Sequence, residues 1–338
     1  MRAFVITGPG HGEVQEVPEP AAAPGHVVVE VERAGVCGTD AEFFSGHMAY
    51  LRTGDAAYPV RIGHEWCGRV TAVGDGVGQE WVGRRVTGDT MLGCGRCARC
   101  TGGRQHLCAD RYEIGIRHGW PGALAERLAV PASSLVPLPD AVDEAMGALV
   151  EPGGNAFRAV RAADARPGAC VLVLGAGTIG LLVAQIAAAD GAEVHLLGRS
   201  ERSRTFATSL GVAHVWTRET LPGLAFDAVV DASNHPDMPR LAVERVEPGG
   251  RAVFIGISGE PSLVDSRDLV LADVTAVGIL SGSGGLAGAV DLYASGRVDP
   301  RPLVAATVGL DAVADVLAGR TPDGAGPGPK THVDPRRL

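Results

Sequence analysis

The sequence predicts an α/β protein of two domains, an irregular β-rich domain followed by a doubly wound parallel sheet. A length of 338 residues exceeds the size of one ordinary hydrophobic core. The first part of the chain is rich in Val, Gly and Pro and contains short strand-like runs such as residues 26–32 and 68–73. From Gly168 onward, apolar strands, glycine turns and amphipathic helices alternate, which is typical of a parallel sheet covered by helices.

These patterns also give the expected domain boundaries. We expect residues 1–153 to form the first domain, with a cysteine-rich lobe at about 90–110, and residues 154–284 to form the parallel-sheet domain. One helical stretch, from Leu286 to Ser295, and a Gly- and Pro-rich tail follow. Residues 285–338 are therefore predicted to return to the first domain and to complete it.

Composition and charge favour small-molecule chemistry. The chain is 46% hydrophobic, yet no apolar run approaches the ~20 residues that span a bilayer. It carries 30 Lys and Arg residues against 39 Asp and Glu residues, a net charge of -9, and it has no dense basic segment for nucleic acid. The N-terminal residues lack the pattern of a secretory signal. We therefore expect a cytoplasmic protein with neither a membrane nor a nucleic-acid partner.

Four cysteines in one short stretch indicate a structural metal site. Cys94, Cys97, Cys100 and Cys108 are spaced closely enough to surround one tetrahedral zinc ion. A set of four thiolates leaves no open coordination position for a substrate, so this lobe is predicted to be structural. Two disulfides or a group of buried thiols are the alternatives, but structural zinc is the usual interpretation of such spacings where no secretory signal is found.

A glycine-rich turn predicts a dinucleotide site. The turn consists of Gly175, Ala176, Gly177, Thr178, Ile179 and Gly180. It follows an apolar strand, residues 171–174, and opens an apolar helix, residues 181–184, which is the context that the dinucleotide fingerprint requires. The first glycine allows the turn, the second lets the backbone approach the pyrophosphate, and the third lets the helix pack closely on the strand.

The end of the next strand favours NADP over NAD. An NAD-binding chain usually carries an acidic residue there, where it binds the ribose 2'-hydroxyl. This chain has Gly198, followed by Arg199 and Ser200, with Arg204 close behind. Arginine and serine side chains suit a 2'-phosphate, which an acidic residue would repel. The alternative is that these arginines form only the solvated start of a helix.

Three separate segments supply the residues of a second, open metal site. A thiolate from Cys37, an imidazole from His64 and a carboxylate from Glu65 or Glu151 would together make a zinc site with room for a substrate. Each residue taken singly also has a structural explanation. Cys37 would suit a core, His64 would suit a buried hydrogen-bonded position, and Glu151 would suit the surface.

The order and spacing of these motifs resemble the zinc-dependent medium-chain dehydrogenase/reductase superfamily, with its alcohol, polyol and glucose dehydrogenases. The resemblance implies a GroES-like catalytic domain, a Rossmann domain and two zinc ions per chain. It implies that Cys37 and His64 bind the catalytic zinc, with Glu65 and Glu151 as alternating or as third and fourth ligands. It further implies that Thr39 relays the substrate proton.

A finer resemblance concerns the substrate. Glu42 stands where many members carry a histidine, and this is similar to the glucose dehydrogenase branch, in which Glu113 and Asn155 match positions that contact sugar hydroxyls. The insertion over residues 45–60 and the Gly153-Gly154 pair depart from that branch, and we expect them to reshape the substrate pocket.

The combined expectation is an NADP-linked zinc dehydrogenase that interconverts a secondary hydroxyl and a ketone on a sugar, a polyol or a cyclitol. An aminated cyclitol of secondary metabolism is one candidate, because a carboxylate-rich site suits cationic substrates. A simple secondary-alcohol or amino-alcohol dehydrogenase is the second hypothesis, and a non-catalytic member of the family is the third. We expect a homodimer or homotetramer.

Overall fold

The strands as far as Pro137 pair antiparallel with one another, and parallel pairing begins with the strand at Cys170. The computed structural model describes residues 1–337. It divides the chain into two units. Unit 1 comprises Met1–Glu151, Asp299–Gly326 and the segment that begins at Lys330, and unit 2 comprises Pro152–Val298 with Pro327–Pro329. The predicted fold class, α/β with an irregular β-rich domain and a doubly wound sheet, is confirmed.

The helices and strands follow one another in an order that changes character near residue 165. The elements before that point are β1 (Arg2–Gly8), β2 (His11–Glu16), β3 (His26–Gly35), α1 (Gly38–Ser45), α2 (Ala49–Thr53), β4 (Glu65–Val73), β5 (Arg85–Gly88), β6 (Met91–Leu92), α3 (Ala98–Thr101), β7 (Tyr112–Glu113), β8 (Arg127–Pro131), β9 (Leu135–Pro137), α4 (Glu144–Ala148) and α5 (Val150–Ala162).

Strands and helices alternate regularly in the next part, and a few short elements close the chain. They are β10 (Cys170–Leu174), α6 (Thr178–Ala189), β11 (Glu193–Leu197), α7 (Glu201–Ser209), β12 (His214–Trp216), β13 (Phe226–Asp231), α8 (Met238–Arg245), β14 (Val246–Phe254), α9 (Ser266–Leu271), β15 (Thr275–Gly278), α10 (Leu286–Ala294), β16 (Val304–Val308), α11 (Val313–Leu317) and β17 (Lys330–Val333).

Unit 1 is built around the long strand β3. This strand pairs antiparallel with β4, with β8 and with β17, within a sheet of order β16-β17-β3-β4-β5-β9. Its alternate residues Val27, Val29 and Val31 are buried in a core that also contains Trp66 and Leu128, as expected for strands with one face toward a core. The pairing of β17 with β3 brings the end of the chain back to the centre of this sheet.

Unit 2 is a parallel sheet of order β12-β11-β10-β13-β14-β15. Numbered from its own first strand, this is the order 3-2-1-4-5-6 of a Rossmann sheet, in which the dinucleotide binds where the strand order reverses. The reversal lies between β10 and β13, and both strands are almost entirely buried. Buried parallel strands need apolar side chains on both faces, which explains the continuous apolar runs in the sequence.

Glycines in α5 and in α10 explain why α10 belongs to unit 2. We predicted the boundary at residue 284, whereas unit 2 extends to Val298 and includes α10. A methyl group on Gly153 would come within 2.2 Å of the Tyr293 hydroxyl, and one on Gly288 would come within 2.4 Å of the Phe157 ring. The two helices therefore approach each other closely through small residues, and Gly153 serves this packing.

No helix within residues 1–337 combines the length and the apolar character that crossing a membrane would require.

Candidate active site and metal centres

Cys37, His64 and Glu65 lie together at one end of the central strands of unit 1. Their ligand atoms are all within 4.8 Å of one another. Cys37 precedes the first residue of α1, and Glu65 begins β4 opposite Gly35 of β3. The turn before β4 needs Gly63, because its φ is +103° and a methyl group there would come within 2.7 Å of the Leu124 nitrogen.

Asp40 connects the two segments that carry the thiol and the imidazole. Its side chain is fully buried. One carboxylate oxygen accepts a hydrogen bond from the Cys37 backbone N–H at 2.8 Å, and the other accepts one from Gly63 at 3.3 Å. Asp40 was not among the predicted site residues, although it stands in the same motif as Cys37 and Thr39 and acidic residues are common in the first turn of a helix.

His64 sits in a negatively charged environment. Its Nδ1 lies 3.7 Å from Asp40 Oδ1, which is too long for a hydrogen bond, and it has no hydrogen-bond partner. Burial alone would lower the pKa of His64, but the Asp40 carboxylate and the Cys37 thiolate outweigh burial and raise that pKa well above its usual value. The site therefore attracts a cation, either a proton on the imidazole or a metal ion.

Glu65 forms a buried ion pair with Lys330, the single lysine of the chain. Both residues are less than 5% exposed. The Lys330 ammonium donates to the two oxygens of Glu65 at 2.8 and 2.7 Å, and it also donates to the Val36 carbonyl at 3.0 Å. Burial acts to lower the pKa of Lys330, but the Glu65 carboxylate reverses this effect and leaves the pKa raised. Lys330 is therefore charged in the folded chain.

The backbone of β3 makes room for this ion pair at Gly35. A methyl group there would come within 2.1 Å of Glu65 Oε2. Gly35 also pairs with His332 of β17, the strand that carries Lys330. A glycine is thus needed where three strands and one ion pair converge.

Two further predicted residues lie at helix starts. Thr39, the second residue of α1, is half-buried. Glu151 is buried in the first turn of α5. Among the described residues 1–337, the possible metal-ligand group at Cys37 consists of Cys37, His64 and Glu65. Glu151 is not a member of this group.

The predicted substrate residues occupy different environments. Glu42 is exposed on α1. Asn155 is half-buried on α5, in unit 2. Glu113 is buried and accepts hydrogen bonds from the Tyr50 hydroxyl at 3.1 Å and from Arg111 Nε at 2.9 Å. Glu113 therefore already has two partners within unit 1.

The insertion over residues 45–60 packs against the Glu113 segment. Tyr50 of α2 binds Glu113, and Arg117 lies over the Tyr50 ring at 5.4 Å. Asp55 accepts from Arg117 at 2.8 Å, and these contacts lower the pKa of Asp55 to about 2, with the Thr53 hydroxyl as the first contributor. The insertion is thus anchored by specific polar contacts.

The four cysteines of the predicted lobe converge. Their sulfurs all lie within 4.8 Å of one another. Cys94 and Cys100 Sγ are 4.0 Å apart, and Cys97 and Cys108 Sγ are 3.9 Å apart. Sulfurs placed at about 2.3 Å around a tetrahedral zinc are about 3.8 Å from one another, whereas a disulfide needs about 2 Å. All seven cysteines are free thiols. This arrangement fits zinc.

The thiols of the lobe cannot all ionise without a cation. Hydrogen bonds from the backbone N–H groups of Arg96 and Cys97 lower the pKa of Cys94 to about 6. Burial and the neighbouring sulfurs raise the pKa of Cys100 to about 12. A zinc ion would allow all four thiols to ionise, because it binds thiolates and stabilises their charge.

The glycines of the fingerprint turn in unit 2 have the properties expected of a pyrophosphate site. Gly175 has a φ of +109°, which only glycine adopts readily. Gly177 precedes the first residue of α6, and a methyl group there would meet no protein atom within 4 Å, so open space lies beside the helix start. A methyl group on Gly180 would come within 1.8 Å of the Gly175 carbonyl. Thr178 and Ile179 form the first turn of α6.

The turn after β11 presents one arginine to solvent and uses another internally. Arg199 is exposed. Arg204 donates from Nη1 to the carbonyls of Gly198 and Arg199, both at 3.1 Å. Ser200 caps α7 by accepting from the Ser203 N–H at 3.1 Å. A side chain at position 198 would collide with Arg204, since its Cβ would lie 2.8 Å from Arg204 Cγ.

Two family models match this chain. The model described as "Alcohol dehydrogenase GroES-like domain" matches residues 23–140. The model described as "Zinc-binding dehydrogenase" matches residues 178–295. The first match contains the Cys37, His64 and four-cysteine motifs, and the second begins within the fingerprint turn.

Known proteins resemble the chain over most of its length. The L-threonine 3-dehydrogenase of Saccharopolyspora erythraea is 37% identical over 295 residues, which cover 82% of this chain and 83% of that protein. A zinc-binding dehydrogenase structure from Sinorhizobium meliloti 1021, bound to NADP, has a TM-score of 0.88 at 28% identity, with 99% of each chain covered. An alcohol dehydrogenase structure from Escherichia coli CFT073, complexed with NADH, has a TM-score of 0.89 at 26% identity and the same coverage.

Replacing one cysteine of the lobe tests the structural zinc site. We expect Cys97→Ser to lose one zinc ion per chain and to lower the melting temperature, because metal-binding energy is folding energy in such a lobe. Elemental analysis and thermal unfolding measure the two effects. Cys67→Ser, which changes a buried thiol outside the lobe, is the control and should retain full zinc. A Cys97→Ser protein with unchanged zinc and unchanged melting temperature would show that the lobe holds no metal.

Removing the buried ammonium tests the ion pair. Lys330→Met leaves the Glu65 carboxylate buried without its cation, and such losses cost about 3–5 kcal/mol in the free energy of unfolding. Denaturant unfolding followed by tryptophan fluorescence measures the change. Arg267→Met, which breaks an exposed ion pair with Asp265, should have little effect. Equal stability of the Lys330→Met and Arg267→Met proteins would contradict the importance of the buried pair.

Proposed function

Because the chain belongs to the zinc-dependent medium-chain dehydrogenase/reductase superfamily, we propose that it interconverts a secondary hydroxyl and a ketone on a sugar, a polyol or an aminocyclitol, with NADP as the hydride carrier. The family resemblance expected from the motifs is confirmed. The chain is an oxidoreductase of the zinc-type alcohol and polyol dehydrogenase class, and it uses zinc and a nicotinamide cofactor. The substrate and the NADP preference are our proposals.

One observation carries the proposal, which is the convergence of Cys37, His64 and Glu65 within 4.8 Å. Sulfur, nitrogen and oxygen donors of this kind suit zinc, and three protein ligands leave a position for substrate. Zinc held by these residues would supply a Lewis acid that polarises the substrate oxygen, and the nicotinamide would accept the hydride. We include Glu151 as a further or alternating carboxylate ligand.

Asp40 and Lys330 would act by positioning the ligands. Asp40 faces His64 Nδ1, so the Nδ1–H tautomer is favoured and the Nε2 lone pair is left for a metal. Lys330 binds both oxygens of Glu65. A Glu65 carboxylate that turned toward a metal would have to give up part of this contact, which makes Lys330 the group that limits its movement.

Thr39 is the proposed proton carrier. Thr39 is half-buried and follows Cys37 by two residues in the sequence. A hydroxyl group both donates and accepts hydrogen bonds, so it is able to take the substrate proton and pass it on toward solvent.

Arg199 is the proposed ligand of the 2'-phosphate. It is exposed, whereas Arg204 is already bound to two backbone carbonyls. Arg204 would therefore hold the turn, and Arg199 would supply the charge that meets the phosphate, with the Ser200 hydroxyl beside it. One similar structure is bound to NADP and another is complexed with NADH, so the two cofactors need to be compared by experiment.

The substrate assignment depends on two carboxylates that we propose to face the substrate. Glu42 and Glu151 suit substrates with several hydroxyls or an amino group. An amino-alcohol substrate is the second candidate, and the similarity to an L-threonine 3-dehydrogenase favours it. Oxidation rates for a panel of polyols, sugars, aminocyclitols and threonine, each measured with NADP and with NAD, separate these candidates.

We also propose that the protein assembles as a homodimer or homotetramer. Strand β15 lies at the edge of the unit 2 sheet, and Leu263, Val270 and Leu271 nearby are largely exposed. Exposed strand edges and apolar patches of this kind usually meet a partner. Light scattering gives the mass in solution, and a monomer would contradict this proposal.

Arg199→Ala tests the cofactor assignment. We expect the KM for NADP to rise roughly tenfold or more, because loss of a charge-assisted phosphate contact costs about 1.5 to 3 kcal/mol, while the KM for NAD changes little. Arg240→Ala, at an exposed arginine of α8 that pairs with Glu244, is the matched control. If the wild-type protein already prefers NAD, the assignment is wrong.

A pair of variants separates metal binding from proton transfer. His64→Ala should lose one zinc ion together with turnover. Thr39→Val should keep full zinc and lower kcat by about a hundredfold or more, a usual contribution of a positioned proton carrier. Thr39→Ser, which keeps the hydroxyl, should stay close to wild type.

Zinc content and rate need to be measured on the same samples of these variants. A Thr39→Val protein with wild-type turnover would remove the relay from the proposal and leave the metal site intact. An active and fully metallated His64→Ala protein would contradict the proposed mechanism as a whole.

A further inference from the structure

Four potential metal ligands meet where three parallel strands of unit 2 begin. Cys170, Glu193 and His214 are the first residues of β10, β11 and β12, and His195 is the third residue of β11. In the sheet register, Cys170 lies opposite Glu193, and His195 lies opposite His214. Because alternate residues of a strand share a face, all four side chains project from the same face of the sheet.

The distances bring their donor atoms close together. The ligand atoms of Cys170, Glu193 and His195 are all within 4.8 Å of one another. Glu193 Oε1 lies 3.0 Å from His195 Nε2 and 3.6 Å from His214 Nε2. The two imidazole rings stack with their centroids 4.4 Å apart and their planes at 14°. One sulfur, one carboxylate and one imidazole nitrogen therefore share a small volume, and His214 Nε2 approaches the same carboxylate from the next strand.

We propose that Cys170, Glu193, His195 and His214 form a further zinc site, separate from the two described above. Thiolate and imidazole donors select zinc-type ions over magnesium and calcium, which prefer oxygen ligands alone. The four residues match the usual coordination number of zinc. An ion there would join the starts of three neighbouring strands, β10, β11 and β12.

Zinc binding to His195 has to displace a hydrogen bond that Trp216 donates. Its indole N–H donates to His195 Nδ1 at 3.0 Å, so the neutral imidazole carries its own proton on Nε2, which faces Glu193. Zinc needs the Nε2 lone pair. On binding, the His195 proton moves to Nδ1, and the Trp216 hydrogen bond is lost. One neutral hydrogen bond contributes much less than a zinc–imidazole bond, so the metal prevails.

Cys170 supplies the second proton that binding displaces. Burial, followed by the nearby carboxylates of Glu193 and Asp227, raises the pKa of its thiol to about 11. The thiol is therefore protonated near neutral pH, and zinc binding releases this proton to solvent. Glu193 and His214 are partly exposed, with 57% and 42% of their side-chain surfaces accessible, so an ion reaches the site without opening the fold.

The site lies at the opposite end of β10 from the fingerprint turn. Cys170 begins the strand and Gly175 follows its last residue, so the two ends are about 13 Å apart at a rise of about 3.3 Å per residue. The metal therefore does not compete with the cofactor for the glycine turn.

Zinc content tests the proposal on the full chain. After equilibrium dialysis in a zinc buffer and removal of free ion, we expect Cys170→Ser and His214→Ala each to hold one zinc ion fewer per chain than wild type. His235→Ala, which removes an exposed histidine 4.0 Å from Asp237, is the matched control and should hold as much zinc as wild type. Equal zinc in wild type and both site variants would overturn the proposal. His214 is partly exposed, so its variant is expected to fold normally.

A tryptophan signal gives an independent readout. The chain has four tryptophans, and the indole N–H resonance that disappears in Trp216→Phe identifies the one beside His195. Adding zinc to chelator-washed wild-type protein should shift this resonance, while the other three indole signals stay in place. In Cys170→Ser the shift should be absent or need at least tenfold more zinc. An unmoved Trp216 resonance at saturating zinc would contradict the loss of its hydrogen bond, and the proposal with it.

Discussion

The arrangement of unit 1 depends on the neutralisation of buried charge at the end of β3 and β4. Glu65 has almost no contact with solvent, and a buried carboxylate is costly unless hydrogen bonds or an opposite charge compensate it. That partner, Lys330, comes from the last strand of the chain. The return of β17 to the centre of the sheet is therefore an electrostatic requirement of the site as well as a matter of strand pairing. The same contact requires a glycine at position 35, because any side chain there would occupy the space of the Glu65 carboxylate.

The site contains a second buried carboxylate, that of Asp40. Asp40 is buried, holds the backbone at Cys37 and Gly63, and faces His64. Two carboxylates, one thiol and one imidazole thus share a region with a single ammonium group. Such an excess of negative charge in a poorly solvated region favours the binding of a cation. The ligands and the groups behind them are therefore matched in charge to a divalent metal.

Local motifs could be predicted from the sequence, and contacts between distant residues could not. The four cysteines lie within fifteen consecutive residues, from Cys94 to Cys108, and the fingerprint within six, so spacing alone was enough to predict both sites. The parallel sheet was predictable because buried parallel strands leave continuous apolar runs.

Lys330 was not predictable, because its partner stands 265 residues away and no pattern in the chain joins the two. The same holds for the end of unit 2. The packing of α10 on α5 depends on where Gly153 and Gly288 meet Tyr293 and Phe157, which becomes visible only in three dimensions. Glu113 is a related case, since its carboxylate accepts hydrogen bonds from Tyr50 and Arg111 of the same unit.

The solitary lysine makes the chemistry of this chain unusual toward amine reagents. The other members of the Lys and Arg set are all arginines, and the one ε-amino group is 4% exposed and holds three hydrogen bonds. Acylating or alkylating reagents therefore meet no accessible lysine on the folded surface. The rate at which Lys330 reacts becomes a direct measure of how often β17 separates from β3, in the same way that amide exchange reports local opening. The labelling rate of this one side chain would thus report transient local opening at the candidate active site in the absence of substrate.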